Sequence, residues 1–178
     1  SLKLDAQFKL AAGQGGRAAA VDISATNLAV TSGTPSGIPS TTTVIDVEKL
    51  NALGAGSLLI GGTRTVGTDT TVITVGADTV TLANDASHAL AAPEVILAGK
   101  DTVTLRRGSV IDAQGDAGDA GTYTTAGNGA LVRAASTSAR FQRTGSPDRS
   151  QGMLIGEADV IDSNGNVVES GSLIRAAA

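Results

Sequence analysis

Apolar and hydroxyl side chains alternate from Thr79 to Leu82 (Thr79, Val80, Thr81, Leu82), and the same five letters, DTVTL, occupy Asp78–Leu82 and Asp101–Leu105. A two-residue alternation puts Val80 and Leu82 on one face of a β-strand and the threonines on the other. Val, Ile and Thr dominate such runs along the chain, and these residues suit a pleated strand. The duplication includes the preceding glycine, GADTVTL from Gly76 and GKDTVTL from Gly99, with Ile73 echoing Ile96 at the same spacing of 23 residues. A fixed spacing of about 20 to 50 residues marks a repeat array, in which each unit buries its apolar face against its neighbours.

With Val80 and Val103 as phase markers, related phrases recur. AGSLLI places Leu58 in phase and ATNLAV places Leu28. GALVRAA and GSLIRAA contribute Leu131 and Leu173, with QGMLIG and Leu154 between them. The intervals from Leu28 to Leu173 run 30, 22, 23, 28, 23 and 19. The two longest contain turn-forming sequence: TSGTPSGIPSTTT with Pro35 and Pro39, and QGDAGDAGTYTTAGNG. Proline withholds a ladder hydrogen bond and Gly/Asp clusters punctuate strands, so residues 31–43 and 114–127 are expected to be loops inserted into the array.

The pattern therefore predicts an all-β, mainly parallel β-solenoid occupying 1–178 as one domain, with rungs of about 19–23 residues and those two loops. Leu58, Val80 and Val103 are expected to stack in one inward column, with Thr79, Thr81, Thr102 and Thr104 facing away. The one helical signal is VEKLNALGAGS, a turn or two around Val47 to Leu53 ending at Gly54. At the amino end, SLKLDAQFKL alternates with Leu2, Leu4 and Ala6 in phase and suits a covering strand. At the other end GSLIRAAA runs nearly to Ala178 without a charged or Pro-bearing cap, so an open edge is expected there that meets the next rung in a parent protein and pairs with another copy in isolation.

Composition narrows this picture. Hydrophobic residues make up 41%, but the aromatics are only Phe8, Tyr123 and Phe141. Ala, Val, Leu and Ile suit thin, regular layers better than a thick core built on rings. A net charge of −4 argues against nucleic-acid binding, which needs a basic stripe. Arg106-Arg107 and the trio Arg140, Arg143 and Arg149 read as solvated surface. With no cysteine there is no disulfide, zinc-thiolate site or thiol nucleophile. No run approaches the roughly 18 apolar residues of a membrane span and no signal peptide is evident. The only methionine is Met153, so the chain reads as a processed product or a piece of something larger.

LNALGAGSLLIGGTR (Leu50 to Arg64), APEVILAGKDTVTLRRGSVIDAQG (Ala92 to Gly115) and GNGALVRAAS (Gly127 to Ser136) resemble the shaft repeats of large bacterial exoproteins of the filamentous haemagglutinin type. The resemblance covers about Leu50 to the C-terminus and, more faintly, Gly16 to Gly33. It implies a right-handed parallel β-helix, export by two-partner secretion, and a secreted or cell-surface adhesin shaft. The asparagine-rich secretion signature of that family is missing, so the resemblance implies an interior segment and transfers no functional residue.

Candidate chemistry is sparse. GTPSG (Gly33–Gly37) only loosely resembles a hydrolase elbow, and a nucleophile needs a base. His88, the sole histidine, lies in the turn-like NDASHAL. DSNGN (Asp162 to Asn166) starts like a calcium loop, yet its twelfth position is Leu173 rather than a bidentate Glu, and a hairpin turn on Asn164-Gly165 fits better. Asp116 and Asp119 in GDAGDAG do not form the nonapeptide calcium repeat. No catalytic, cofactor-binding or metal residue is assigned and no cofactor is expected.

The leading expectation is a non-enzymatic structural or adhesive module. Its partners are a host or neighbouring-cell receptor or glycan, adjoining rungs of a longer chain, or another copy joined end to end, with no nucleic acid and no membrane span. The alternatives are a carbohydrate-active β-helix of the polysaccharide lyase or hydrolase kind, which needs clustered carboxylates in a cleft, and a self-assembling extracellular filament subunit.

Overall fold

The computed structural model of the chain describes residues 19–34, 36–118, 121–126, 129–144 and 152–177. SLKLDAQFKL, Pro35, Asp119, Gly127 and Arg149 lie outside them. In chain order the elements are β1 (Ala20–Ile23), β2 (Asn27–Thr31), β3 (Thr43–Asp46), α1 (Val47–Asn51), β4 (Ser57–Ile60), β5 (Gly62–Val66), β6 (Thr71–Val75), β7 (Thr79–Ala83) and β8 (Leu90–Ala91). There follow β9 (Glu94–Gly99), β10 (Thr102–Leu105), β11 (Val110–Gln114), β12 (Thr122–Ala126), β13 (Ala130–Ala135) and β14 (Arg140–Thr144). The last four are β15 (Met153–Gly156), β16 (Val160–Ile161), β17 (Val167–Glu169) and β18 (Leu173–Ala177).

Strands from distant parts of the chain lie side by side, mostly parallel. The first sheet runs β1-β4-β9-β13, the second β15-β10-β7-β2-β3 and the third β18-β11-β8. A side sheet, β14-β12-β6-β5, is built from segments inserted between them. All pairs in the second and third sheets are parallel, whereas β13 meets β9 and β5 meets β6 antiparallel.

The repeated GxDTVTL is a corner followed by a strand. Thr79–Leu82 of β7 pair residue for residue with Thr102–Leu105 of β10. The corner backbone continues the ladder, since Asp78 N–H donates to the Thr26 carbonyl (2.7 Å) and Asp101 N–H to the Asp78 carbonyl (2.8 Å). Leu28, Val80, Val103 and Leu154 align across four neighbouring strands, and Val80 and Val103 are fully buried on the same face. Burying each valine stabilises the fold by about 1.5–3 kcal/mol. Thr79, Thr81, Thr102 and Thr104 lie on the opposite face, half-buried.

Leu58 does not belong to this column. It lies in the first sheet between Val21 and Val95, facing the same core from another side. Leu131 sits opposite Ala98 in the first sheet, and Leu173 pairs with Val110 in the third. Ile73 is likewise no layer equivalent of Ile96. It belongs to β6 of the side sheet, and the residue beside Ile96 is Leu59.

The spacing departs from 19–23 residues wherever an insertion intervenes. Thr79 to Thr102 spans 23 positions, but Ala20 to Ser57 and Ser57 to Glu94 span 37 each, and Thr102 to Met153 spans 51. The expected loop 114–127 is also corrected: Gln114 closes β11, and Thr122–Ala126 form β12, which carries the buried Tyr123. Threonine and tyrosine prefer strands, and here that preference outweighs the surrounding glycines. Residues 32–42, Pro35 aside, are irregular, as expected of the first insertion.

Side chains from all three main sheets converge in one apolar cluster that includes Leu58, Leu97, Leu82, Val103, Leu90 and Ile111. The other face of the first sheet is covered by the side sheet, where Leu59, Ile96 and Ala98 meet Ile73 and Tyr123. Strand β9 is therefore buried at all six positions. A strand covered on both faces reads as a continuous apolar run, which explains VILAG.

Helix α1 closes one end of the core with Val47 and Leu50 buried. Asp46 caps it, accepting from the N–H groups of Glu48 (2.9 Å) and Lys49 (3.3 Å). Asn51 then acts as a substitute strand neighbour for β8, donating to the Ala89 carbonyl and accepting from Ala91 N–H, both at 2.9 Å.

Candidate functional site

Two places concentrate unusual chemistry: a buried ionic cluster under the side sheet, and the open end of the stack opposite α1.

The ionic cluster is centred on Glu94, the first residue of β9, which is 3% exposed. Its carboxylate accepts from the Ser57 hydroxyl, from the Tyr123 hydroxyl (3.0 and 3.1 Å) and from Arg133 Nε (2.5 Å). Arg64 Nη1 lies 3.8 Å away and binds the Ser57 hydroxyl, while its Nε donates to Asp22 at 2.7 Å. Arg133 also reaches the Thr137 carbonyl and lies 6.0 Å from the Tyr123 ring centre. Asp22, Arg64, Glu94 and Arg133 balance in charge, and the carboxylate of Glu94 is bonded on both oxygens. Such an arrangement holds strands of β1, β4, β5, β9, β12 and β13 together and presents no free acid or base. Burial, and then the adjacent Glu94 charge, pushes the Tyr123 phenol above its ordinary 10.0.

Tyr123 stacks on Phe141 with ring centres 5.2 Å apart. Beside Phe141 lies an open cleft of about 390 Å³ lined by Thr125, Leu131, Arg133, Phe141, Gln142 and Arg143. Among the described residues no carboxylate lines it, whereas glycosidic hydrolysis uses paired acids.

At the open end, β14, β15 and β18 are the outermost strands of their sheets, and among the described residues no strand pairs with their far edges. Met153 N–H donates back to Asp101 and Leu173 N–H back to Ser109, each at 2.8 Å. Because alternate amides of a strand point to opposite sides, those of Leu154, Gly156, Ile174 and Ala176 point outward. Leu154 continues the Val103 column and Ile174 lies beside the fully buried Ile111, yet they are 54% and 42% exposed. Of the ten large apolar residues exposed on the described surface, eight lie between Met153 and Ile174. Three of the eight, Ile161, Val167 and Val168, belong to the β16–β17 hairpin, and the other five to β15 and β18.

The remaining expectations resolve individually. His88 is exposed in a turn, with Nδ1 2.9 Å from Asp85, whose carboxylate also accepts from Ser32 (2.6 Å). The Ser32 hydroxyl, then His88, lowers Asp85 to about 2, and the hydrogen bond to Asp85 raises His88 above 6.5. Asp162 opens the β16–β17 hairpin, accepting from Asn164 N–H (2.8 Å) and Asn166 N–H (2.9 Å), with Gly165 at φ +86°. The hairpin reading of DSNGN holds, and the carboxylate is occupied within its own turn. Among the described residues no group of three or more His, Asp or Glu is placed to hold a metal ion.

Arg106 and Arg107 are more than solvated surface. Arg106 donates to the Ser36 (2.7 Å) and Gly37 (2.8 Å) carbonyls, and Arg107 pairs with Glu169 (3.0 Å) and the Ala158 carbonyl. Each ties an insertion to the stack. The sequence reading missed the Glu94 cluster as well. Its one visible signal is a charged residue opening the apolar run EVILAG.

Among the described residues no helix is long and apolar enough to cross a membrane. Comparisons of the chain with models of protein families, with curated proteins and with solved structures find no match.

Proposed function

We propose that this chain is a scaffold segment: a stretch of right-handed parallel β-helix that extends and presents surfaces, as in shafts of the filamentous haemagglutinin type. The observation that carries the reading is the in-register alignment of Leu28, Val80, Val103 and Leu154 across four parallel strands around a shared core. Such a stack lengthens by adding layers without redesigning those already in place, because each layer contacts only its neighbours. Insertions leave it sideways, as β5–β6, β12, β14 and the β16–β17 hairpin do here. Loops and hairpins on a rigid scaffold are where binding resides, and they are the surfaces for a receptor or glycan. The proposed setting is the bacterial cell surface or the secreted fraction.

The test is immunolabelling of intact source cells with antibodies raised against the purified chain, viewed by electron microscopy. Gold is expected outside unpermeabilised cells, along thin extensions. Label confined to the interior after permeabilisation would contradict the role.

A further inference from the structure

The β16–β17 hairpin stands apart from the layers. Among the described residues its two short strands pair only with each other, and a two-stranded hairpin is by itself marginal in water. Its turn carries Asn164 followed by Gly165, both exposed, with Gly165 at φ +86°. We infer that this dipeptide is a self-modification site, at which the Asn164 side chain deamidates through a cyclic imide and the altered turn releases the hairpin.

The reaction needs only water. The backbone nitrogen of Gly165 attacks Cγ of Asn164, a carbon–nitrogen bond forms, and the side-chain nitrogen leaves as ammonia. Water then opens the imide at either carbonyl, leaving aspartate or, with the main chain rerouted through the side chain, isoaspartate. The attack requires a side-chain amide that can turn and a following N–H that can be reached. Among the described residues the Asn164 side chain makes no hydrogen bond, and only its backbone N–H is engaged, by Asp162. The other described asparagines are held: Asn27 by Thr79, Asn51 by the β8 backbone, Asn84 by the His88 and Val110 carbonyls, and Asn166 by Asp162. They are also followed by Leu28, Ala52, Asp85 and Val167, whose side chains crowd the attacking nitrogen. Gly165 has no side chain, and even a Cβ there would meet nothing within 4 Å. Its N–H donates to the Asp162 carbonyl at 3.1 Å, a bond that local opening of so short a hairpin releases.

The product no longer fits the turn. Asp162 accepts from the N–H groups of Asn164 and Asn166, and its own N–H donates to the Asn166 carbonyl at 2.9 Å. Isoaspartate lengthens the main chain before Gly165 by one methylene and sets a second carboxylate beside that of Asp162, so these bonds cannot all close. The pairing of Glu169 with Arg107 (3.0 Å) is then what still ties the hairpin to the stack.

The test is prolonged incubation of the purified chain at mildly alkaline pH, beside Asn164→Gln, with peptide mapping that separates asparaginyl, aspartyl and isoaspartyl forms. Glutamine keeps the amide but has to close a larger, slower ring. In the wild type the Asn164 form is expected to be lost, mainly to isoaspartate, while Asn27, Asn51, Asn84 and Asn166 stay intact. In the variant position 164 is expected to stay unmodified. Asn128 also precedes a glycine, lies outside the described residues and is read separately in the same map. Hydrogen exchange gives a second reading: in the modified chain the amides of Asp162 and Asn166 should lose protection while those of β7 and β10 keep theirs. Persistence of Asn164, equal conversion of Asn166, or unchanged protection of the hairpin after conversion would each overturn the inference. The reaction asks nothing of the scaffold role, which immunolabelling decides separately.

Discussion

Glu94 shows how a single position couples burial to charge. Its buried carboxylate is surrounded by Arg133, Arg64, Tyr123 and Ser57. Removing one member of a buried ion cluster leaves the other charges desolvated and unmatched, at about 3–5 kcal/mol. Glu94→Ala is therefore expected to lower the denaturant-unfolding free energy by that amount, a large share of the about 5–15 kcal/mol typical of a domain. A loss below about 1 kcal/mol would show that the cluster contributes little. Tyr123 reports on the same cluster and is the only tyrosine, so its absorbance titration is unambiguous. The fold favours the protonated phenol. The stability it contributes is complete below pH 10 and is lost as pH rises through the higher folded value.

His88 provides a second residue-scale test, as the only imidazole in the chain. Its NMR titration midpoint is expected above 6.5 in the wild type and near 6.5 in Asp85→Asn, because the carboxylate that favours the imidazolium is then gone. The stability linked to this histidine is present below pH 6.5 and declines as pH passes its folded midpoint. The linked stability of Asp85 runs the other way, present above 3.8 and lost as pH falls towards about 2. A midpoint unmoved by the Asp85 substitution would contradict the pairing.

Among the elements, corners impose the strictest demands. Gly61 has φ +99°, and a Cβ there would be driven into the Ala98 carbonyl oxygen of the next layer. Gly33, at φ +70°, has open space around it. Gly33→Ala is expected to cost about 1–2 kcal/mol from backbone conformation alone. Gly61→Ala adds the clash to that cost and is expected to lower the melting temperature well beyond the Gly33 variant. Equal losses in the two would show that close stacking of layers does not constrain this corner.

The same contrast explains what was legible in the sequence. DTVTL announced strands, a shared face for Val80 and Val103, and a parallel partnership, because alternation and exact duplication encode all three. Short helix α1 and the turn at Asn164-Gly165 were visible through their glycines and local pattern. Sheet membership was not visible, since every strand facing this core needs the same apolar phase. SLLI, NLAV and SLIRAA therefore read alike although they lie in three different sheets. The Glu94 cluster was hidden for a related reason. Its members come from β1, β4, β5, β9, β12 and β13, and only the pairing of those strands brings them together.

On the scale of the whole molecule, the second sheet joins strands from distant parts of the chain in parallel and in register. Absence of native cysteine makes this directly measurable by paired cysteine substitution. Thr81 and Thr104 face each other across β7 and β10, at the spacing of adjacent strands, about 4.8 Å, which a disulfide can bridge. Thr79 lies opposite Thr102, so pairing it with Thr104 adds an offset of two residues along the strand and exceeds the roughly 7 Å limit. Under mild oxidation at low concentration, Thr81→Cys/Thr104→Cys is expected to form an intramolecular disulfide rapidly and completely, and Thr79→Cys/Thr104→Cys to remain reduced. Rapid closure of the offset pair, or failure of the in-register pair in a folded protein, would contradict the stacked architecture.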